Sequence, residues 1–184
     1  MRTPVRPFAV IDGLEYRLCR WVHGAGRYRP VRNLFALVSR LGDGLVWYAL
    51  ILSLPVVAGK PGLFAALSMA VGALAGLLIY KGLKTVLVRE RPFIAHSDIA
   101  CLTAPLDRYS FPSGHTLHAV FFAVVASAWF PVLGPLLFGF AGLVALSRPV
   151  LGLHYPTDVL VGGLIGWLLA VVVLNWVPPG AMLQ

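Results

Sequence analysis

The chain has 184 residues, the length of one domain, yet 59% of them are hydrophobic, only 12% are charged and the mean hydropathy is +0.83. That balance excludes an ordinary soluble domain and implies several membrane spans. The formal net charge of +8 points, in such a chain, to anionic headgroups or an anionic substrate, and the absence of an aromatic-basic motif for base stacking sets nucleic acid aside.

Two cysteines, Cys19 and Cys101, with no CxxC, are too few for a disulfide framework and read as independent thiols. The opening residues, MRTPVRPFAVIDGLEYRLCRW, hold no long apolar core, so no signal peptide is expected. Over 8–22, Phe8, Ile11, Leu14, Leu18 and Trp21 or Val22 recur at three to four residues, with Asp12, Glu15, Arg17 and Arg20 between them. The spacing predicts an amphipathic helix lying in the membrane interface plane. Residues 24–30 form a turn. A second short helix over 31–41 carries Leu34, Leu37, Val38 and Leu41 on one face, and Gly42-Asp43-Gly44 is expected to break it. Residues 1–42 are therefore read as interfacial helices, and 43–184 as a transmembrane core.

The core opens with an apolar run over 45–58, with Trp47 and Tyr48 as interface anchors. Gly59-Lys60-Pro61-Gly62 is a tight turn. A second span over 63–80 is rich in small residues (Gly72, Ala73, Ala75, Gly76), which let helices approach closely in lipid. The loop over 85–112 is polar and too long to be a mere connection; such loops are usually functional. A third span covers 113–130, a turn 131–135 and a fourth span 136–146. A polar stretch over 147–158 precedes the fifth span at 159–177, and the tail PPGAMLQ carries no side-chain charge. No internal repeat is evident. The fold class is all-α: a polytopic membrane bundle of about five transmembrane helices preceded by amphipathic N-terminal helices. Alternation of the spans puts the 85–112 and 147–158 loops on one side.

Three segments near that side hold most of the unusual polar groups. In SRPVLGLHYPTD, His154 and Asp158 are four residues apart and share a helix face, so the Asp can hold one ring nitrogen and leave the other free. Arg148 offers a planar fork suited to phosphate. Read alone, this stretch is also an interfacial loop with an Arg148–Asp158 ion pair. In KTVLVRERP, Lys84 and Arg91 are seven apart and fall on one helix face; read alone, they are also a basic helix end meeting headgroups. In SFPSGHTLH, Pro112 and Gly114 suit a helix start whose free N–H groups point at an anion, with His115 as an acid or base. The alternative there is a capped helix with a satisfied His. His118 reads as packing and Thr116 as structural.

Together these segments resemble the type-2 phosphatidic acid phosphatase superfamily, which also includes glucose-6-phosphatase and the vanadium haloperoxidases. Its signature, Lys-x6-Arg-Pro, Pro-Ser-Gly-His and Ser-Arg-x5-His-x3-Asp, matches at Lys84 with Arg91-Pro92, at Pro112-Ser113-Gly114-His115, and at Ser147-Arg148 with His154 and Asp158. The resemblance implies that Lys84, Arg91 and Arg148 bind phosphate oxygens, with Ser113 and the Gly114 backbone adding hydrogen bonds. It implies His154 as the nucleophile that forms a phosphohistidine, Asp158 as its orienting partner and His115 as the acid that then activates water. It implies no metal and no cofactor. The partners implied are a lipid phosphate and the bilayer.

Many bacterial members carry one more span ahead of the region matching 8–42. With five spans the N-terminus lies on the site's side. Arg2, Arg6, Arg17, Arg20, Arg27, Arg29, Arg32 and Arg40 all precede the first span, and the opposite face has only Lys60. The positive-inside rule then points to the cytoplasmic face of a bacterial-type inner membrane. The leading reading is a membrane lipid phosphatase acting on phosphatidic acid, phosphatidylglycerophosphate, a polyprenyl diphosphate or a phosphorylated polyprenyl sugar. Three others stand beside it: a phosphotransferase using the same phosphohistidine, a metal site built from His115, His118, His154 and Asp158, and a non-catalytic lipid transporter.

Overall fold

The computed structural model describes residues 9–179. Arg2, Arg6 and Phe8 of the N-terminal reading, and residues 180–184 of the tail, lie outside the described residues. Helix α1 (Ala9–Ala25) turns Val10, Leu14, Leu18 and Trp21 outward and exposed, and buries Cys19 and His23 against the rest of the chain. This is the face distribution of a helix lying in an apolar interface rather than on a soluble core. Pro30 opens α2 (Arg29–Arg40) in its first turn, where the missing N–H costs nothing.

The expected break falls at Gly44, whose φ 146 and ψ −31 are not helical. A π-helical turn (Leu41–Leu45) spans this kink between α2 and α3 (Val46–Val86). Gly44 sits at φ 146, a conformation that side chains rarely adopt, and Gly42 packs so closely on Val144 that a Cβ there would meet Cγ2 at 2.9 Å.

At Gly59 (φ 60, ψ −135) α3 divides into two limbs. The limbs turn back on each other so tightly that a Cβ on Gly62 would lie 1.9 Å from the Leu54 carbonyl oxygen. A short α4 (Pro92–Ala95) follows, then α5 (Gly114–Trp129), α6 (Gly134–Val150) and α7 (Pro156–Trp176). Among the described residues there is no strand, only an isolated bridge between Glu90 and Tyr109.

Helix α5 is the centre. It packs on α7, α6 and α3 and buries Leu117, Ala119, Phe121, Phe122, Ala123, Val125 and Ala126 on all sides, whereas α3, α6 and α7 expose Leu and Val outward. Small residues let the backbones close in. Cβ atoms on Gly162 and Gly166 would lie 2.4 Å from the Ser113 oxygen and 2.2 Å from the Leu117 oxygen. Three stretches, Arg29–Val86, Pro131–Val150 and Pro156–Trp176, are long and apolar enough to cross a membrane; Gly114–Trp129 is apolar but shorter.

Candidate active site

The π-helical turn, the end of α3, the start of α5 and the segment just ahead of α7 meet at one end of the bundle, around a cavity of ≈ 400 Å³. Lys84, Arg91, His115 and His154 face it, together with Asp43 and Asp107. The seven-residue spacing of Lys84 and Arg91 predicts one helix face. The chain instead leaves the helix after Val86, and Arg91 is the extended residue before α4. The two cations meet all the same, on Asp107. Lys84 Nζ donates to both its oxygens at 2.8 Å and to the Tyr109 carbonyl at 2.9 Å, and Arg91 Nη2 donates to Oδ1 at 2.8 Å.

His154 sits just ahead of α7 and is buried. Arg91 Nη1 lies 3.2 Å from its Nε2. A guanidinium has no lone pair to accept with, so Nε2 is the acceptor and the ring proton of the neutral form is on Nδ1. Nδ1 faces Asp158 Oδ2 at 3.5 Å, too long for a hydrogen bond but the right side for an orienting carboxylate. Burial, then the charges of Arg91, Arg148 and Lys84, push the His154 pKa well below the ordinary imidazole value. The ring is therefore neutral at neutral pH, with an electron pair on the nitrogen that faces the cavity.

The alternative pairing of Arg148 with Asp158 is not formed. Arg148 belongs to the last turn of α6 rather than to a loop; it is buried, and its Nη1 donates to Ser39 Oγ at 2.5 Å. Its Nε has no hydrogen-bond partner, and the side chain lines a second cavity of ≈ 220 Å³ with Ser39, Asp43 and His115. Asp158 accepts from Arg89 Nη1 at 2.5 Å and from the Tyr155 N–H at 2.8 Å. His115 Nε2 is bonded to the Asp43 carboxylate.

Ser113 is the N-cap of α5: its fully buried Oγ accepts from the Thr116 N–H at 3.4 Å and pairs with Thr116 Oγ1 at 3.0 Å. Gly114 lines the cavity, where a Cβ would press on the Tyr80 ring at 3.2 Å. His118 ties α5 to α3 through the Gly114 and Ala73 carbonyls, a packing role. Among the described residues no three His, Cys, Asp or Glu side chains converge as metal ligands.

The family model described as "PAP2 superfamily" matches residues 63–180, well over half of the chain and all three motif segments. The chain belongs to the PAP2 superfamily. It is similar to decaprenylphosphoryl-5-phosphoribose phosphatase of Mycolicibacterium smegmatis, 44% identical over 80 residues that cover 44% of this chain and 42% of that protein. This PAP2 chain thus spans less than half the length of that relative. It is 30% identical to undecaprenyl-diphosphatase BcrC of Bacillus subtilis over 80% of its own length and 76% of the relative's. The crystal structure of Aquifex aeolicus LpxE superposes with a TM-score of 0.79 at 29% identity, covering 94% of this chain and 99% of that one. With these helices, the PAP2 chain is a multi-pass membrane protein.

Sequence reasoning missed four members of this PAP2 site: Ser39, Asp43, Arg89 and Asp107. Arg89 is the most connected. It is buried under the Tyr155 ring and joins Asp158 to Thr157, Asp12 and Glu15, so the polar face of α1 reaches the start of α7 through this guanidinium and through Glu15, which accepts from the Thr157 N–H and hydroxyl at 2.7 Å. Its signal was the pair Asp12 and Glu15, two carboxylates three apart on one helix face that need a cationic partner if that face is turned inward.

Proposed function

We propose that the chain is an integral membrane lipid phosphatase that removes a terminal phosphate from a lipid through a phosphohistidine on His154, without a metal. The observation that carries this reading is the cavity's two-part lining. Its polar end holds Lys84, Arg91, His115 and His154, and its other end is an apolar slot between the two limbs of α3, lined by Ile51, Leu74, Leu77 and Phe122. A phosphate at the polar end leaves an acyl or prenyl chain in the slot. The relatives' names, which speak of a decaprenyl-linked phosphoribose and an undecaprenyl diphosphate, fall in this class. Phosphatidic acid and phosphatidylglycerophosphate belong to it too.

In the reaction, Nε2 of His154 attacks phosphorus, the bond to the lipid oxygen breaks, and protonated His115 gives its proton to that oxygen. A water then passes a proton to His115, its oxygen displaces Nε2, and inorganic phosphate leaves. Lys84, Arg91 and Arg148 neutralise the phosphate oxygens in the manner of a metal clamp, and the Gly114 N–H adds a backbone donor. Asp158 steadies the Nδ1 side of His154, and Ser113 holds the start of α5 against the cavity. The same reading has five crossings: both limbs of α3, α5, α6 and α7. The N-terminal arginines support a site at the cytoplasmic face.

Purified in maltoside and offered a panel of these lipids, the wild-type protein should release inorganic phosphate, and His154→Ala should release none above background. A His154→Ala protein with near-normal release removes the mechanism. A wild-type protein that turns over none of the panel removes the activity, and phosphate recovered on an added lipid or sugar acceptor makes it a phosphotransferase.

A further inference from the structure

Lys84 and Arg91 are not poised with unpaired charge. Both bind one carboxylate, Asp107, which takes 2.8 Å contacts from Lys84 on each oxygen and from Arg91 on Oδ1. The two cations are almost fully enclosed, with side chains 9% and 2% exposed, while the Asp107 side chain is 39% exposed at the cavity rim. Burial alone would raise the Asp107 pKa, but Lys84 and Arg91 outweigh it and hold the carboxyl below the usual range, so it stays ionised at neutral pH. Two carboxylate oxygens against an ammonium and a guanidinium offer the same acceptor pattern as two oxygens of a phosphate. Arg91 also donates through Nε to the Asp107 carbonyl at 3.0 Å, which ties the backbone of this loop to the cradle while leaving the side chain a path to solvent.

We propose that Asp107 is a specificity-determining residue, an internal competitor that sets the affinity an anion must exceed to enter the Lys84–Arg91 cradle. The inference rests on the phosphatase reading above. A bilayer presents this site with phosphodiester headgroups at very high local concentration, and each phosphodiester carries a single negative charge on two free oxygens. An uncovered pair of buried cations would fill with them unproductively. The Asp107 carboxylate carries the same charge, is tethered, and is already in place, so a diester gains nothing by displacing it. A terminal phosphate carries about −1.5 to −2 charges at neutral pH and three free oxygens. It can satisfy Lys84 and Arg91 and still reach Arg148, whose Nε has no hydrogen-bond partner. Asp43, the other carboxylate at the cavity, is engaged with His115 and does not compete for these cations.

The test uses the full-length protein in maltoside micelles, with Asp107→Asn, which keeps the shape and removes the charge, and Asp107→Ala as a second variant. Three readings are taken: the inhibition constant of inorganic phosphate, that of soluble dibutyl phosphate, and phosphate release as phosphatidylglycerol is titrated into the micelles. Inhibition constants do not depend on the fraction of active protein. Loss of the competitor should lower both constants by about tenfold or more, and phosphatidylglycerol should inhibit the variants but not the wild type. Unchanged or raised constants in both variants, or a wild type as sensitive to phosphatidylglycerol as the variants, overturn the proposal: Asp107 would then only position Lys84 and Arg91. Calorimetric binding of inorganic phosphate separates the two readings. A wild-type protein that neither binds nor releases phosphate fails the phosphatase reading itself. A wild type that does both, with variants no tighter, fails only this inference.

Discussion

Asp43 owes its position to its neighbours. Gly42 allows the chain to press on Val144, Gly44 adopts φ 146, and the π-helical turn between them aims the Asp43 carboxylate at His115. A carboxylate on Nε2 of a histidine fixes the ring's orientation, and a ring held in place is what delivers a proton to a leaving oxygen. Asp43→Asn keeps a hydrogen bond and loses the charge. It should lower kcat by about 10–100-fold with KM little changed, as read by steady-state phosphate release. A rise in KM with kcat intact would assign Asp43 to substrate binding instead. This residue illustrates what the sequence makes legible. Lys84, Arg91, His115, Arg148, His154 and Asp158 stand at motif spacings and were readable. Their holders Asp43, Ser39, Asp107 and Arg89 were not, because a polar residue's partner is set by tertiary approach: Asp43 meets a residue 72 positions away, and Ser39 one 109 away.

At the scale of elements, the seam between α5 and α7 brings the Ser113–His115 segment to His154 and Asp158. The Ser113 N–H donates to the Asp158 carbonyl at 3.0 Å, so the two motif segments share a backbone hydrogen bond at the head of the seam. Below it, Gly162 and Gly166 are four apart on one face of α7 and let its backbone lie on that of α5. The spans themselves were visible as apolar runs, but this pair was not singled out, since glycine spacing carries a signal only once the facing helix is known. The helix ends were misread for a related reason. Arg148 and Pro149 looked like loop residues after an apolar run, yet α6 continues through Val150 because Ser39 takes up the charged side chain. Gly166→Leu should drive a side chain into the Leu117 carbonyl, cost about 1–3 kcal/mol of stability, and reduce phosphate release by separating the motif segments. Gly142→Leu, where a Cβ meets nothing within 4 Å, should alter neither. A thermal melt in micelles beside the activity assay distinguishes the two variants. Equal losses in both would mean that close packing of α5 on α7 is not what holds the site.

For the whole molecule, charge is unevenly distributed along the bundle axis. The site end carries Arg17, Arg20, Arg27, Arg29, Arg32 and Arg40 from α1, α2 and the turn between them, in addition to the cradle cations. The Gly59 turn at the far end carries Lys60. A phosphate site is basic whichever way it faces, so only the arginines of α1 and α2 bear on sidedness, and they are what supports the proposed cytoplasmic face. The chain has its own reporter for this. Cys101 lies exposed in the loop between α4 and α5, on the site end, with its thiol donating to the Thr103 carbonyl at 3.0 Å. Cys19 is fully buried, and burial pushes its thiol up to about 12, so it is unreactive at neutral pH. A membrane-impermeant maleimide should therefore leave the protein unmodified in intact cells and add one label, at Cys101, in inverted vesicles; a Cys101→Ser variant should take none in either. Labelling of Cys101 in intact cells would turn the molecule over. The arginines of α1 and α2 would then act as contacts for anionic headgroups on the outer leaflet, and the substrate would be a lipid whose phosphate is presented outside the cell.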